Sequence, residues 1–125
     1  MKNSIIRIIV LESDKSLHTV YKNHFDEIAD YELVGSYTSA NEALKDFSFT
    51  RPHIVLSEIA LNGTSGIDAI KLFRKKEWGI KIIMFSEIND FDIIKNAFKR
   101  GANGYLTKPL TLDKLEHALR SMEKE

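Results

Sequence analysis

The chain has 125 residues, no cysteine, and 18 basic against 18 acidic residues, so its formal net charge at pH 7 is zero. This length fits one domain with a single core, residues 1–125, and the balanced charge gives no reason to expect a nucleic-acid or membrane-surface partner. The lack of cysteine excludes disulfides and thiolate metal sites, and it is typical of a cytoplasmic protein.

The first apolar segment, residues 5–11, is rich in β-branched side chains, which indicates a strand covered on both faces. Arg7 interrupts it, and it is too short to span a bilayer, so we expect neither a signal peptide nor a membrane contact. Ser13 or Asp14 can cap the helix that follows. The predicted inward residues of this helix are Leu17, Val20, Tyr21, Phe25 and Ile28.

The same alternation of strand and helix continues through the middle of the chain. Residues 31–37 are the second predicted strand, and Ser39 or Asn41 begins a shorter helix. Residues 53–57 are the third strand, and residues 65–66 lead into the third helix. The apolar sides of these two helices are Ala43, Leu44 and Phe47 in one, and Ile67, Ile70 and Phe73 in the other.

Two further units complete the predicted pattern. Residues 80–85 are the fourth strand, and Asn89 or Asp90 begins a helix that Gly101 ends in a left-handed conformation. Residues 105–106 are a short fifth strand, and the last helix begins near Thr111. The inward residues are predicted to be Phe91, Ile94, Ala97 and Phe98 in the fourth helix, and Leu112, Leu115, Ala118, Leu119 and Met122 in the fifth. Trp78 is predicted to cover the sheet edge beyond the third helix.

Five strand–helix units with no hairpin between strands predict an α/β fold with an open, doubly wound five-stranded parallel sheet. A closed barrel would need eight units. In an open sheet of this kind, functional side chains gather at the carboxyl edge of the strands. The polar residues that follow the predicted strands are Glu12, Ser13, Asp14, Glu58, Ser86, Glu87 and Lys108.

Three segments around these residues resemble a known family. The run GANGYLTKPL at residues 101–110 matches the pattern GAxGYLxKP, HIVLSEIALNGTSGIDAI at residues 53–70 is similar to PDLVLLDIxMPxxDG, and MFSEIND at residues 84–90 is similar to the (L/M)(S/T)A segment. The chain thus resembles the CheY-like receiver domains of two-component response regulators. This resemblance implies a flavodoxin-like (βα)5 topology and a role in phosphorelay signal transduction.

The resemblance also implies a role for each matching position. In the family, an aspartate after the third strand accepts a phosphoryl group from a histidine kinase, two acids after the first strand help to bind Mg²⁺, and a lysine after the fifth contacts the phosphate. Lys108 falls on that lysine. Ser86 and Tyr105 fall on the hydroxyl and the aromatic residue of the switch that reports phosphorylation.

The phosphoacceptor half of the pattern departs from the family. Glu58 stands where the family has aspartate, and the acidic pair becomes Glu12 and Ser13, with Asp14 one place late. The extra methylene displaces the carboxylate by about one carbon–carbon bond, ~1.5 Å, and a displacement of ~1 Å can cost ~100-fold in rate. Ser13 brings no charge, so Mg²⁺ at Glu12, Glu58 and the backbone of Ala60 is expected to bind weakly or not at all, and no cofactor is expected.

We therefore expect a degenerate receiver that is not an enzyme, is not phosphorylated at the usual position and acts through protein–protein contacts. Glu58 would fill part of the space of a phosphoryl group and bond to Lys108. One alternative is a working phosphoacceptor receiver that tolerates glutamate. Another is a nucleotide- or flavin-binding protein of the same fold, although the acidic ESDKS segment at residues 12–16 is unlike a phosphate-binding loop.

Plainer roles stay open for several of these residues. Asp14 is expected only to favour the N-terminus of the first helix, and Ser86 can equally be a hydroxyl at the approach to a helix. The four histidines lack metal-ligand spacing. The expected partners are a histidine kinase, a downstream target, or a second copy bound through the fourth predicted helix, the fifth strand and the fifth predicted helix, with no direct nucleic-acid contact.

Overall fold

The computed structural model describes residues 4–123. Five strands form one parallel sheet in the order β2-β1-β3-β4-β5. The strands are β1 (Ile6–Leu11), β2 (Tyr31–Tyr37), β3 (Ile54–Glu58), β4 (Lys81–Ser86) and β5 (Gly104–Thr107). The predicted open parallel sheet is confirmed, and every predicted strand boundary lies within about one residue of the observed one.

Six helices connect the strands over the described residues, where five were predicted. They are α1 (Ser16–Asp26), α2 (Ala40–Lys45), α3 (Phe47–Thr50), α4 (Gly66–Lys76), α5 (Phe91–Lys99) and α6 (Leu112–Met122). The second predicted helix is divided at Asp46, whose carboxylate accepts a hydrogen bond from the Tyr37 hydroxyl at 2.8 Å. The first helix begins at Ser16, later than predicted, because the Asp14 carboxylate accepts from the Ser16 N–H and forms a turn before it.

The core has two layers, one on each face of the sheet. Helices α1 and α6 pack on the face that carries Ile8 and Val10 of β1. Helices α2 to α5 pack on the face that carries Ile9 and Leu11. Because successive strand residues point to opposite faces, β1 contributes to both layers and is buried on both, as its continuous apolar run predicts.

Three aromatic residues predicted to face inward are exposed instead. Phe91 is 75% exposed and Phe98 is 46% exposed, because α5 turns the side that carries the fully buried Ala97 toward the sheet. Trp78 is 88% exposed. The guanidinium of Arg74 lies at the sheet edge that Trp78 was predicted to cover, donating to the carbonyls of Ile80 and Gly101. The inward assignment of Val20 is also wrong, since 40% of it is exposed.

The predicted end of α5 is confirmed. Gly101 has a φ of 115°, its N–H donates to the Phe98 carbonyl, and the Ala102 N–H donates to the Ala97 carbonyl. These two bonds form a Schellman motif, in which glycine adopts the positive φ at low cost. The motif turns the chain directly into β5.

Candidate functional site

The carboxyl edge of the sheet brings together three of the predicted site residues. Glu58 is the last residue of β3, Glu12 directly follows β1, and Lys108 directly follows β5. Their side chains are largely enclosed, with exposed fractions of 10%, 0% and 13% respectively. The parallel arrangement of the strands thus gathers residues that are distant in sequence into one buried cluster of charges.

Lys108 bridges the two carboxylates. Its Nζ lies 2.9 Å from Glu12 Oε1 and 3.0 Å from Glu58 Oε2. The same ammonium group lies 5.7 Å from the centroid of the Phe85 ring, within the range of a cation–π contact. One ammonium therefore compensates two carboxylates in a poorly solvated position, and the three side chains together keep one negative charge.

Neighbouring protein groups donate further hydrogen bonds to both carboxylates. Glu58 Oε1 accepts from the Ser13 N–H at 3.0 Å and from the Ser13 hydroxyl at 2.8 Å. Glu12 Oε1 also accepts from the Tyr21 hydroxyl at 2.6 Å, and Glu12 Oε2 accepts from the Asp14 N–H at 3.1 Å. Each of the four carboxylate oxygens therefore has at least one donor supplied by the protein.

These contacts shift the titration of the groups involved. Burial acts to raise the pKa of the Glu58 carboxyl, but hydrogen bonds from the Ser13 N–H and from Lys108 outweigh burial, so the pKa lies below its ordinary value of 4.5. Burial acts to lower the pKa of the Lys108 ammonium, and its bonds to the two carboxylates raise it overall. Burial, together with the bond to Glu12, raises the pKa of the Tyr21 hydroxyl.

Ser13 joins the cluster through its hydroxyl, whereas the other predicted site residues lie around it without joining it through their side chains. The Asp14 carboxylate accepts from the N–H and the hydroxyl of Ser16 and is directed at the start of α1. Ala60 is exposed in the loop between β3 and α4. Glu87, after β4, is also exposed. Asp14 thus contacts the cluster only through its backbone N–H, which donates to Glu12. Its carboxylate has the expected role of an acid near a helix N-terminus.

Ser86 and Tyr105 bind the same residue of the loop that precedes α5. The Ser86 hydroxyl accepts from the Ile88 N–H at 3.0 Å, and the Tyr105 hydroxyl donates to the Ile88 carbonyl at 2.8 Å. Ser86 is buried, whereas the Tyr105 contact is exposed. The Ser86 hydroxyl and the Tyr105 side chain thus both hydrogen-bond to the backbone of this loop.

Two further residues of the cluster, Tyr21 and Phe85, were assigned only to the core. For Tyr21 the sequence holds a usable signal, because a tyrosine at an inward helical position needs a partner for its hydroxyl. The nearby buried acid is Glu12. Phe85 carries no such signal, since its contact with Lys108 depends on the observed packing of β4 beside β5. Ile88 acts through its backbone and has no side-chain signature.

The cluster is a poor match to the ligands of a divalent cation. Mg²⁺ is usually held by one or two carboxylates with water and phosphate oxygens in an octahedral arrangement. Here the carboxylate oxygens point at protein donors, and the Lys108 ammonium lies between the two carboxylates. Within residues 4–123, no group of three or more His, Cys, Asp or Glu side chains is placed to hold a metal ion.

The open five-stranded parallel sheet, with acids and a lysine at its carboxyl edge, defines an α/β domain of the flavodoxin-like class. Residues 8–120 match the family model described as the response regulator receiver domain. The chain belongs to this family. It is a receiver module of two-component signal transduction, a class of domain that interacts with histidine kinases and effectors.

Relatives and solved structures agree with this assignment. The chain is 26% identical to a probable C4-dicarboxylate response regulator DctR of Halalkalibacterium halodurans over 98% of its own length and 53% of that protein, so it spans about half of this relative. It is 25% identical to the chemotaxis protein CheY of Listeria monocytogenes, over 96% of this chain and all of that one. A LuxR-family two-component response regulator from Aurantimonas sp. superposes with a TM-score of 0.86 at 26% identity, over 95% of this chain and 85% of the other.

No helix within residues 4–123 has both the length and the apolar character needed to cross a membrane.

Proposed function

We propose that this receiver is degenerate: it does not cycle by phosphorylation of Glu58, but keeps a preformed cluster of Glu12, Lys108 and Glu58 and signals through contacts with other proteins. The observation that supports this proposal is the use of all four carboxylate oxygens by protein donors. A pocket built to receive a phosphoryl group needs a free nucleophilic oxygen and unsatisfied donors around it.

The bonds of Glu58 argue against its use as a nucleophile. Its Oε2 is 3.0 Å from the Lys108 ammonium, and its Oε1 accepts two hydrogen bonds from Ser13. Attack on phosphorus would draw electron density from an oxygen that already accepts a charge-assisted bond, and that oxygen would have to align in line with the leaving group. The depressed pKa of this carboxyl points the same way, because a more stabilised carboxylate is a weaker nucleophile.

The same geometry supports a partial imitation of the phosphorylated state. Lys108, which falls on the phosphate-contacting lysine of the family, contacts the Glu58 carboxylate instead. A carboxylate carries one negative charge and two oxygens, whereas a phosphoryl group carries nearly two charges and three oxygens. We propose that Glu58 thereby holds the domain in one signalling state.

The proposal includes a weak or absent Mg²⁺ site at Glu12, Glu58 and Ala60, with no cofactor and no catalytic activity. The Lys108 ammonium already supplies the positive charge next to both carboxylates. A divalent ion would have to displace that ammonium or share the carboxylates with it, at a cost in electrostatic repulsion. The proposed location is the cytoplasm, in keeping with a chain that has no cysteine.

Partner binding is proposed for the face formed by α5, β5 and α6. On its α5 side this face exposes large apolar side chains: Ile88 at 50%, Phe91 at 75% and Phe98 at 46%. Clustered apolar exposure of this kind is more typical of an interaction surface than of a solvated helix. A histidine kinase, a downstream target or a second copy of the chain is the proposed partner.

The decisive experiment treats the chain with acetyl phosphate, or with beryllofluoride, in the presence of Mg²⁺. Intact mass and amide NMR shifts should show no adduct and no response at the carboxyl edge. The matched variant carries Glu58→Asp and Ser13→Asp together and should regain part of the response. An adduct on Glu58 of the unaltered chain would contradict the proposal and would favour a working phosphoacceptor receiver that tolerates glutamate.

A further inference from the structure

A second concavity lies at the opposite edge of the sheet from Glu58. We name it the amino-edge cavity. It has a volume of about 980 Å³ and is lined in part by the residues that begin four strands, Ile6, Tyr31, Ile54 and Lys81. Small-molecule sites in proteins commonly measure ~300–1,000 Å³, so the cavity is large enough for a ligand of ordinary size. The proposed signalling mechanism makes no use of it.

The floor of the amino-edge cavity is apolar. It includes Leu44, Phe47, Ile54, Ile80, Leu119 and Met122. Phe47 and Ile80 belong to the core layer on one face of the sheet, whereas Ile54, Leu119 and Met122 belong to the layer on the other. The cavity therefore opens onto the end of the hydrophobic core, whose side chains there are largely buried, Ile54 at 4%, Ile80 at 3% and Met122 at 9%, so an apolar ligand body would gain packing contacts more than newly buried surface.

The rim of the cavity is strongly basic, although the chain as a whole is neutral. Five Lys or Arg residues line it, Arg7, Lys45, Arg51, Lys76 and Lys81, against two acids, Glu77 and Glu123. One of the acids is already engaged, because the Glu123 carboxylate accepts a hydrogen bond from Tyr31 and pairs with Arg120. The lining itself thus carries more basic than acidic side chains.

Four of these cations have no ion-pair partner within residues 4–123: Arg7, Lys45, Arg51 and Lys76. Lys45 and Lys76 lie in the last turns of α2 and α4, where a helix dipole favours cations. That explanation does not extend to Arg7, which lies in β1 and whose Nε donates to the Arg51 carbonyl at 2.8 Å. The guanidinium of Arg7 thus lies beside the backbone of Arg51.

We propose that the amino-edge cavity binds an amphipathic organic anion, with an apolar body on the floor and a phosphate or carboxylate group at the basic rim. Trp78, which is 88% exposed, extends the apolar surface beside it. It lines a smaller concavity of about 320 Å³ that shares Gly79, Ile80 and Lys81 with the cavity. The anionic group pairs with Lys45, Arg51 and Lys76 of the rim, and the apolar body packs against the end of the core.

Two sources of this chemistry, a nucleotide and an acyl chain with an anionic head group, are distinguished by the choice of probes. The full chain is titrated by calorimetry with AMP, with dodecyl phosphate below its micelle concentration, and with inorganic phosphate. Saturable binding of AMP or of dodecyl phosphate is expected, and the stronger of the two identifies the source. Inorganic phosphate is expected to bind at least ~10-fold more weakly, because it leaves the floor uncovered.

One variant tests the location of the ligand. A Cβ atom at Gly79 would meet no heavy atom within 4 Å, so Gly79→Phe can be accommodated and adds a ring at a residue that lines the cavity. This variant is expected to weaken binding at least ~10-fold. Gly79→Ala, which adds only a methyl group at the same place, should keep the affinity within about twofold.

A pair of charge variants tests the rim. Lys45→Gln with Lys76→Gln should weaken binding ~10-fold, whereas the matched pair Lys71→Gln with Lys75→Gln, exposed on α4 outside the lining, should stay within about twofold. The proposal is overturned if neither AMP nor dodecyl phosphate binds saturably, if inorganic phosphate binds equally well, or if binding survives Gly79→Phe. Binding confined to anionic lipid vesicles would overturn it as well.

Discussion

At the scale of single residues, Ser13 and Glu58 form a complementary pair. The Ser13 hydroxyl donates to Glu58 Oε1 at 2.8 Å, and the Ser13 N–H donates to the same oxygen at 3.0 Å. An acid at position 13 would place a second carboxylate against Glu58 in an enclosed site, where like charges raise the cost of ionisation. The two departures from the receiver pattern thus make each other tolerable.

Ser13→Ala removes the hydroxyl bond and keeps the N–H bond. A hydrogen bond to a charged group contributes ~1.5–3 kcal/mol, so we expect the free energy of unfolding to fall by ~1–2 kcal/mol in this partly exposed position. In a Glu58→Gln background the loss should be clearly smaller, because the acceptor is then neutral. Urea unfolding of the four chains measures this coupling, and equal losses in both backgrounds would show that the bond contributes nothing specific.

The titration of Glu58 predicts how stability depends on pH. Its pKa in the folded chain is depressed below 4.5, so its contribution is complete above that pH and is lost as the pH falls through the depressed value. Glu58→Gln should therefore flatten the decline in urea midpoint between about pH 5 and about pH 3. Glu87→Gln, at an exposed acid of the same edge, should keep the decline of the parent chain. Parallel curves for the parent chain and Glu58→Gln would contradict this prediction.

At the scale of elements, the contact between α4 and the end of β3 sets the position of Glu58. The Gly66 N–H donates to the Ile59 carbonyl at 2.9 Å, and the Ser65 hydroxyl caps α4 by accepting from Asp68. A Cβ at Gly66 would lie 2.1 Å from the Glu58 carbonyl oxygen and 2.7 Å from Met84 Cε. Only glycine lets the first turn of α4 approach the strand this closely.

Gly66→Ala forces α4 away from β3 because the clash involves backbone. We expect the free energy of unfolding to fall by ~2–3 kcal/mol, at the upper end for overpacking. The amide shifts of Ser13 and Glu58 should change as well, since the displaced carbonyl belongs to Glu58. Gly79→Ala is the control, because its added methyl meets no atom within 4 Å. A Gly66→Ala chain as stable as this control would show that α4 is held less tightly than the geometry indicates.

The elements also show where sequence reasoning succeeds and where it stops. The buried strands are continuous apolar runs between polar loops, so their boundaries follow from local pattern. The division between α2 and α3 depends on Asp46 accepting from Tyr37, and the rotation of α5 depends on which residue packs closest to the sheet. Such contacts are tertiary, and periodicity alone places Phe91 and Phe98 on the wrong side.

The same distinction holds within the candidate site. The proximity of Glu58 and Lys108 follows from parallel strands, because both residues lie at the carboxyl edge of the sheet. The donors that fix the carboxylates, Ser13 and Tyr21, depend on side-chain directions that no sequence spacing determines. The topology can therefore be predicted from the sequence. The hydrogen-bond geometry, which decides whether the carboxylate oxygens are free or already accept bonds from the protein, cannot.

At the scale of the whole molecule, the net charge is zero, but the two edges of the sheet differ in their charged residues. The carboxyl edge holds two buried acids bridged by one lysine, and the amino edge holds a basic rim over an apolar floor. A third surface, on α5, β5 and α6, is set apart by its exposed apolar side chains. The two edges lie at opposite ends of the strands, whereas α6 borders both the third surface and, through Leu119 and Met122, the amino-edge cavity.

The face of α5, β5 and α6 should mediate self-association of the chain at high concentration. Phe91 and Phe98 lie about two turns apart on α5, so they form one apolar stripe that a second copy can cover through a two-fold symmetric contact. Phe91→Glu is expected to weaken the dimer at least ~10-fold in sedimentation equilibrium, because it buries a carboxylate in the contact.

Phe49→Glu is the matched control, since Phe49 is 86% exposed on α3, outside that face, and its change should leave the dimer intact. If Phe49→Glu weakens association as much as Phe91→Glu, or if the parent chain stays monomeric at millimolar concentration, self-association through this face is wrong. If the chain is a monomer, the exposed stripe is expected to bind a different protein. The affinity of that protein should then fall with Phe91→Glu and stay unchanged with Phe49→Glu.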